Sequence, residues 1–153
     1  MKKILVFIFL TISISTYSEE TFNVSSRSTE ETDIGLKRFL EFNPSNLKEV
    51  RTYIKEHFVY KSEAIDRWSA PTELMRNGYG DCEDFAIFLM YYAHRLGYPV
   101  MMIIVEQPDG CLHALCTING KLFEPQTVSP RTLGNDRPIK QMTLNECFDK
   151  CYF

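Results

Sequence analysis

The chain has 153 residues, a formal net charge of −3 and 44% hydrophobic residues, enough for one domain with a real core and too few for two. The mildly acidic balance, with no basic stripe, argues against a nucleic-acid partner. No run of like charge is long enough to mark an interaction tail.

The first residues read as a secretory signal. Lys2 and Lys3 precede an apolar run from Ile4 to Ile14, and Thr16-Tyr17-Ser18 offers small residues for cleavage after Ser18. The run falls short of the ~20 apolar residues that span a bilayer, and no other segment could cross one. The expectation is therefore a signal peptide over 1–18 and a periplasmic or secreted product with no membrane span. Loss of Lys2 and Lys3 takes the formal charge from −3 to −5. No cysteine follows the apolar run, so no lipid-modified N-terminus is expected. Residues 19–31 are rich in Ser, Thr and Glu and read as a flexible leader, which leaves 32–153 as the folded domain, expected to be monomeric.

Thr32 or Asp33 is placed to cap a first helix carrying Ile34, Leu36, Phe39 and Leu40, which Asn43-Pro44 ends. Ser45 is placed to cap a second, with Leu47, Val50, Ile54 and Phe58 on one face. Both read as scaffold, and His57 on the second reads as a surface or half-buried residue. Pro71 suits the first position of a short helix holding Glu73, Leu74 and Met75. Trp68, the single tryptophan, is expected to pack, with an indole N–H aimed into a site as the alternative.

Gly78-Tyr79-Gly80-Asp81-Cys82-Glu83-Asp84-Phe85-Ala86 is the stretch with chemical character. Phe85, Ala86, Leu89, Tyr92, Ala93 and Leu96 follow helical spacing, and Gly97 and Pro99 close the helix. Cys82 then lies in the first turn, where unpaired N–H groups and the helix dipole favour a thiolate. A buried structural cysteine or half of a disulfide is the competing reading. His94 lies more than three turns further along the same helix and cannot reach the thiol.

After Gly97 the pattern turns to strand. Val100 to Val105 is a buried-strand run, Cys111 to Ile118 a second strand, and Lys121 to Glu124 a third ended by Pro125. Asn119-Gly120 between the last two is a two-residue hairpin signal. The result is an antiparallel meander behind the helix. Beyond Thr127 the chain reads as loop until Thr143 caps a closing helix through Cys147.

Of the five cysteines, Cys111, Cys116, Cys147 and Cys151 remain once Cys82 is set aside, and four allow three pairings. A bridge from the C-terminal helix to Cys111 or Cys116 and four unlinked thiols are equally compatible with the spacing. No CxxC or HxxxH spacing suggests zinc.

His113 sits in the middle strand. Alternation places Cys111, His113 and Leu115 on one side and Leu112, Ala114 and Cys116 on the other. With Asn119-Gly120 as the turn, His113 opposes Gln126 and Glu124 opposes Leu115, so the Glu124 carboxylate is on the His113 face and diagonal to it. Cys82, His113 and Glu124 can thus serve as nucleophile, base and orienting acid. A hydrogen-bonded core histidine is the alternative for His113.

Asp66-Arg67-Trp68-Ser69-Ala70-Pro71-Thr72-Glu73-Leu74, Gly80-Asp81-Cys82-Glu83-Asp84-Phe85-Ala86, Leu96-Gly97-Tyr98-Pro99 and His113-Ala114, in that order, resemble the bacterial transglutaminase-like cysteine proteinases. The resemblance spans roughly Val50 to Thr127. It implies an α+β fold with a papain/transglutaminase-like core, Cys82 as nucleophile and His113 as base. It also implies hydrolysis of a protein or peptide amide through a thioester. The anions Asp81 and Glu83 beside Cys82 oppose a thiolate, so an imidazolium of His113 is expected to offset them in an ion pair with Cys82. Glu124 stands where the family usually has an aspartate, and Gln126 is the substitute for that third role. Trp68, Asn77 and Tyr79 are candidates for a side-chain oxyanion donor beside the Cys82 backbone N–H. Some members bind calcium through acids flanking the cysteine, and Asp81 and Glu83 match those positions. The chemistry itself calls for no cofactor. An inactive domain that binds a partner, and a cross-linking transglutaminase, use the same residues and stay open as alternatives.

Overall fold

The structure is a computed structural model that describes residues 26–62 and 67–151. The expected signal peptide and the first part of the expected leader lie outside the described residues. The elements run α1 (Ser26–Glu41), α2 (Leu47–His57), β1 (Val59–Tyr60), α3 (Pro71–Asn77), β2 (Tyr79–Gly80), α4 (Cys82–Arg95), β3 (Val100–Glu106), β4 (Leu112–Ile118), β5 (Lys121–Glu124), β6 (Ser129–Pro130), β7 (Arg137–Met142) and α5 (Leu144–Phe148). No helix among the described residues is long and apolar enough to cross a membrane.

The fold is α+β. A five-stranded antiparallel sheet in the order β6-β5-β4-β3-β7 carries α4 on one face, and β1 and β2 form a small parallel pair. Helix α4 is the centre of the core: Phe85, Ala86, Ile87, Phe88, Leu89, Met90, Tyr92 and Ala93 are all buried. They pack on Val50 and Ile54 of α2 and on Met102, Ala114 and Cys116 of the sheet. A helix apolar on so many sides has to lie inside the molecule. The opposite face of the sheet gathers a smaller cluster of Ile103, Val105 and Leu115 under Leu122 and Leu133. The alternation read from the sequence, with Ala114 and Cys116 against Leu115, is the division between these two clusters.

Three boundaries differ from the sequence reading. Helix α1 covers Ser26–Glu41 among the described residues, so residues 26–31, expected as flexible leader, are helical. Asn46, not Ser45, caps α2: its side chain accepts the Glu49 N–H at 3.1 Å, while the Ser45 hydroxyl donates to the Glu49 carboxylate at 2.8 Å. The stretch expected as loop beyond Thr127 contains β6 and β7. Strand β7 is an edge strand, almost wholly exposed and carrying Pro138, which a register shift between Ile104 and Val105 accommodates. Its polarity and its proline hide it from any pattern of apolar alternation. Helix α5 is capped by Thr143 as expected, with Glu146 completing a capping box. All five cysteines are free; Cys147 packs against Met102, with 4.0 Å between the sulfurs.

The entry to α4 is fixed by one buried side chain. Asp84, 1% exposed, accepts the Ser69 N–H at 2.6 Å through one oxygen and the Asp81 N–H at 3.2 Å through the other. It thereby ties the loop carrying Trp68 to the start of the helix. Gly80 allows this closeness, since a Cβ there would lie 2.5 Å from the Asp84 carboxylate and 2.9 Å from Leu74. Removing the acceptor of one buried and one part-buried N–H group costs their desolvation. Asp84→Ala is therefore expected to lower the unfolding free energy by about 2 kcal/mol or more. Urea denaturation checks this, and a loss below about 0.5 kcal/mol, the size of an ordinary surface change, would refute it.

Candidate active site

Cys82 is the first residue of α4, and its side chain is 6% exposed. Its Sγ donates to a carboxylate oxygen of its neighbour Glu83 at 3.0 Å. Burial pushes the thiol well above its ordinary range, and the hydrogen bond and charge of Glu83 push the same way. The Ala114 backbone N–H, aimed at the sulfur, pulls against them, and the charge of Asp81 adds to the rise. The helix-start thiolate and the Cys82–His113 ion pair expected from the sequence are thus not what this arrangement holds. Two acids flank the sulfur, one bonds it, and a desolvated thiol beside a carboxylate keeps its proton.

The contact with Ala114 sets the sulfur beside the residue that follows His113 in β4. His113 is held by Glu124. Its Nε2 lies 3.0 and 3.1 Å from the two oxygens of Glu124. The register agrees with the hairpin reading: Cys116 pairs with Phe123, Thr117 with Leu122 and Ile118 with Lys121. Asn119 and Gly120 take positive φ of 52° and 73°, the turn that fixes this register. Glu124, not Gln126, is the partner of His113. To donate to the carboxylate Nε2 must carry the ring proton, which leaves Nδ1 as the nitrogen with a free lone pair.

The acid is shared. Arg131 Nη1 donates to Glu124 Oε2 at 2.7 Å, and Arg131 Nη2 to Asp136 Oδ2 at 2.5 Å. Burial works to raise the Glu124 carboxyl, but the bonds and charges of His113 and then Arg131 outweigh it and hold it below the ordinary carboxylate range. The sequence reading missed Arg131 and Asp136, because both sit in the return after β5, where no motif or periodicity marks them. Glu83 was read as a flanking acid, and its bond to the thiol depends on a rotamer that sequence does not encode.

The three oxyanion candidates have the following contacts. Asn77 accepts from Arg76 at 3.3 Å, and Tyr79 is exposed with Lys61 Nζ 4.3 Å from its ring centroid. Trp68 is buried under Lys150, whose Nζ is 5.1 Å from the ring centroid. Cys82 is the first residue of α4, so its backbone N–H belongs to the turn that has no intrahelical acceptor. His57 stacks on Tyr53 and bonds its carbonyl at 3.0 Å, away from the site.

Among the described residues no group of three or more His, Cys, Asp or Glu side chains is placed to hold a metal ion. Asp81 and Glu83 offer two carboxylates where calcium takes about six to eight oxygens, and Glu83 is engaged with the thiol. Backbone carbonyls and waters would have to supply the remaining ligands of such a site.

A helix-borne cysteine set against an antiparallel sheet that carries a histidine and an acid is the transglutaminase-like α+β fold. Structures of Legionella pneumophila LapG share it: the calcium-bound form matches at 19% identity and a TM-score of 0.55, over 76% of this chain and 74% of that one. The EGTA-treated form matches at 18% identity and the same TM-score, over 76% and 72%. No family model and no curated protein matches the chain.

Glu83 is the group that most directly holds the thiol neutral. Glu83→Gln is expected to raise the rate of Cys82 alkylation by iodoacetamide at neutral pH about tenfold, the equivalent of one pKa unit. Mass mapping of the labelled cysteine checks this, and an unchanged or slower rate would refute it.

Proposed function

We propose that the chain is an exported cysteine peptidase or amidase that hydrolyses protein or peptide amides, with Cys82 as nucleophile, His113 as base and Glu124 as orienting acid. The observation that carries this reading is the His113–Glu124 bond: both carboxylate oxygens hold Nε2 and so present Nδ1 as a base, one residue from the backbone group that meets the Cys82 sulfur. Export rests on the charged and apolar start of the sequence.

The steps follow from these roles. His113 Nδ1 takes the Cys82 proton as Sγ bonds to the substrate carbonyl carbon. With Sγ placed as a donor to Glu83, this transfer accompanies attack rather than preceding it, as in a serine–histidine pair. The Cys82 N–H stabilises the oxyanion. The C–N bond then breaks, and the imidazolium returns its proton to the departing amine, leaving a thioester. Water, losing its proton to Nδ1, attacks the thioester; the acid leaves, and the sulfur recovers its proton. Glu124 stays ionised throughout and stabilises the imidazolium. LapG is seen with calcium bound and after EGTA treatment; no step here passes through a metal.

A second reading has one observation in its favour. The thiol is buried and bonded to Glu83, and a protein that only bound a partner through this fold would tolerate that arrangement. Peptide-library hydrolysis separates the two. Cys82→Ala and His113→Ala are expected to remove hydrolysis, and Glu124→Gln to lower kcat by about 10²-fold or more, short of the ~10⁴ seen when a triad aspartate is neutralised. Hydrolysis that survives Cys82→Ala, or none with the parent chain, would contradict the proposal. Amine incorporation into a glutamine-bearing protein in place of hydrolysis would move the assignment to cross-linking.

A further inference from the structure

A glutamate is longer by one methylene than the aspartate expected at this place, and a longer side chain has more rotamers in which its carboxylate misses the imidazole. The fold restrains it. Strand β6 pairs with β5, setting Ser129 opposite Glu124 and Pro130 opposite Phe123. Arg131, the next residue, donates its backbone N–H to the Leu122 carbonyl at 2.9 Å. The guanidinium then spans two carboxylates, Glu124 at 2.7 Å and Asp136 at 2.5 Å, with the Asp136 side chain only 7% exposed. Arg131 is thus pinned at its backbone by the sheet and at its head by a buried acid, and one of its nitrogens remains directed at Glu124. A planar fork with several donors can do this, and a lysine ammonium reaches one carboxylate or the other less rigidly.

We propose that Arg131, anchored by Asp136, is a positioning residue for the reaction: it fixes the Glu124 carboxylate against His113 Nε2 and so keeps Nδ1 free to act as base. The inference rests on the functional reading above. Arg131 touches neither the thiol nor the imidazole and acts only through Glu124. In its absence Glu124 gains freedom, the Nε2 proton loses its fixed acceptor, and the ring can exchange tautomers. An ion pair that merely clamped the return loop would affect stability and leave the imidazole unaltered.

The test uses the full chain and the variants Arg131→Met, Arg131→Lys and Asp136→Asn, with circular dichroism and thermal melting to establish folding. Two readouts follow: the ¹⁵N spectrum of the His113 ring, identified by its loss in His113→Ala, and the rate of Cys82 acylation by an activated ester. In Arg131→Met the His113 spectrum is expected to pass from the Nε2–H tautomer to a mixture. The acylation rate is expected to fall about tenfold, the lower end of what outer-shell partners contribute. Arg131→Lys recovers part of both, and Asp136→Asn loses less than Arg131→Met. In a Glu124→Gln background Arg131→Met costs nothing further, since its effect runs through that carboxylate.

A folded Arg131→Met with the parent spectrum and rate, or one that costs the same with and without Glu124, overturns the proposal. If Arg131→Met does not fold, the same criteria apply to Arg131→Lys and Asp136→Asn. A parent acylation rate insensitive to His113→Ala would instead defeat the functional reading, and the tautomer spectrum would still decide the role of Arg131.

Discussion

One carboxylate joins the parts of this molecule that have to cooperate. Glu124 ends β5, meets His113 of β4 across the hairpin, and meets Arg131 of the return that follows β6. The strand pairing brings the three within reach, and opposite charges in a partly buried setting hold them there. Exposed ion pairs contribute little. This one differs because Glu124 and Asp136 are both largely removed from water and share a single guanidinium, so loss of Arg131 would leave two acids without their common partner. Direction follows from the same bond: with Nε2 occupied, the imidazole has one nitrogen left for chemistry.

Cys82, the proposed nucleophile, is set by a different device, the buried Asp84 that couples the Ser69 loop to the first turn of α4. The two devices converge at the Ala114 backbone N–H, which addresses the Cys82 sulfur. Between them lies a conflict. The helix start favours a thiolate, while burial and Glu83 disfavour it, and the bond to Glu83 is the visible result. On the proposed mechanism the thiol stays neutral until a base takes its proton in the course of attack. This also protects a free thiol, since oxidation and exchange proceed through the thiolate.

Much of this was legible in the sequence, for local reasons. Asn119-Gly120 dictates a two-residue turn, the turn dictates the register, and the register places Glu124 on the face of His113. Gly97 and the helical spacing from Phe85 define α4, and Pro71 and Thr143 mark the starts of α3 and α5. What escaped depends on long-range or rotameric choices. Strand β7 has no apolar alternation because it is an exposed edge. Arg131 and Asp136 acquire their role only through the pairing of β6 with β5. The thiolate was expected from helix position together with a His113 imidazolium, and the sulfur is instead bonded to the Glu83 side chain.

The central claim is that Cys82 is a nucleophile served by His113, and covalent capture tests it without knowledge of the natural substrate. The chain would be mixed with p-nitrophenyl acetate, and the acetyl group located by peptide mass mapping while nitrophenolate release is followed. The account predicts an acetyl thioester on Cys82 that forms faster than on the other four cysteines and slows markedly in His113→Ala. Acetylation of Cys82 no faster than that of exposed Cys111, or equally fast without His113, would contradict it.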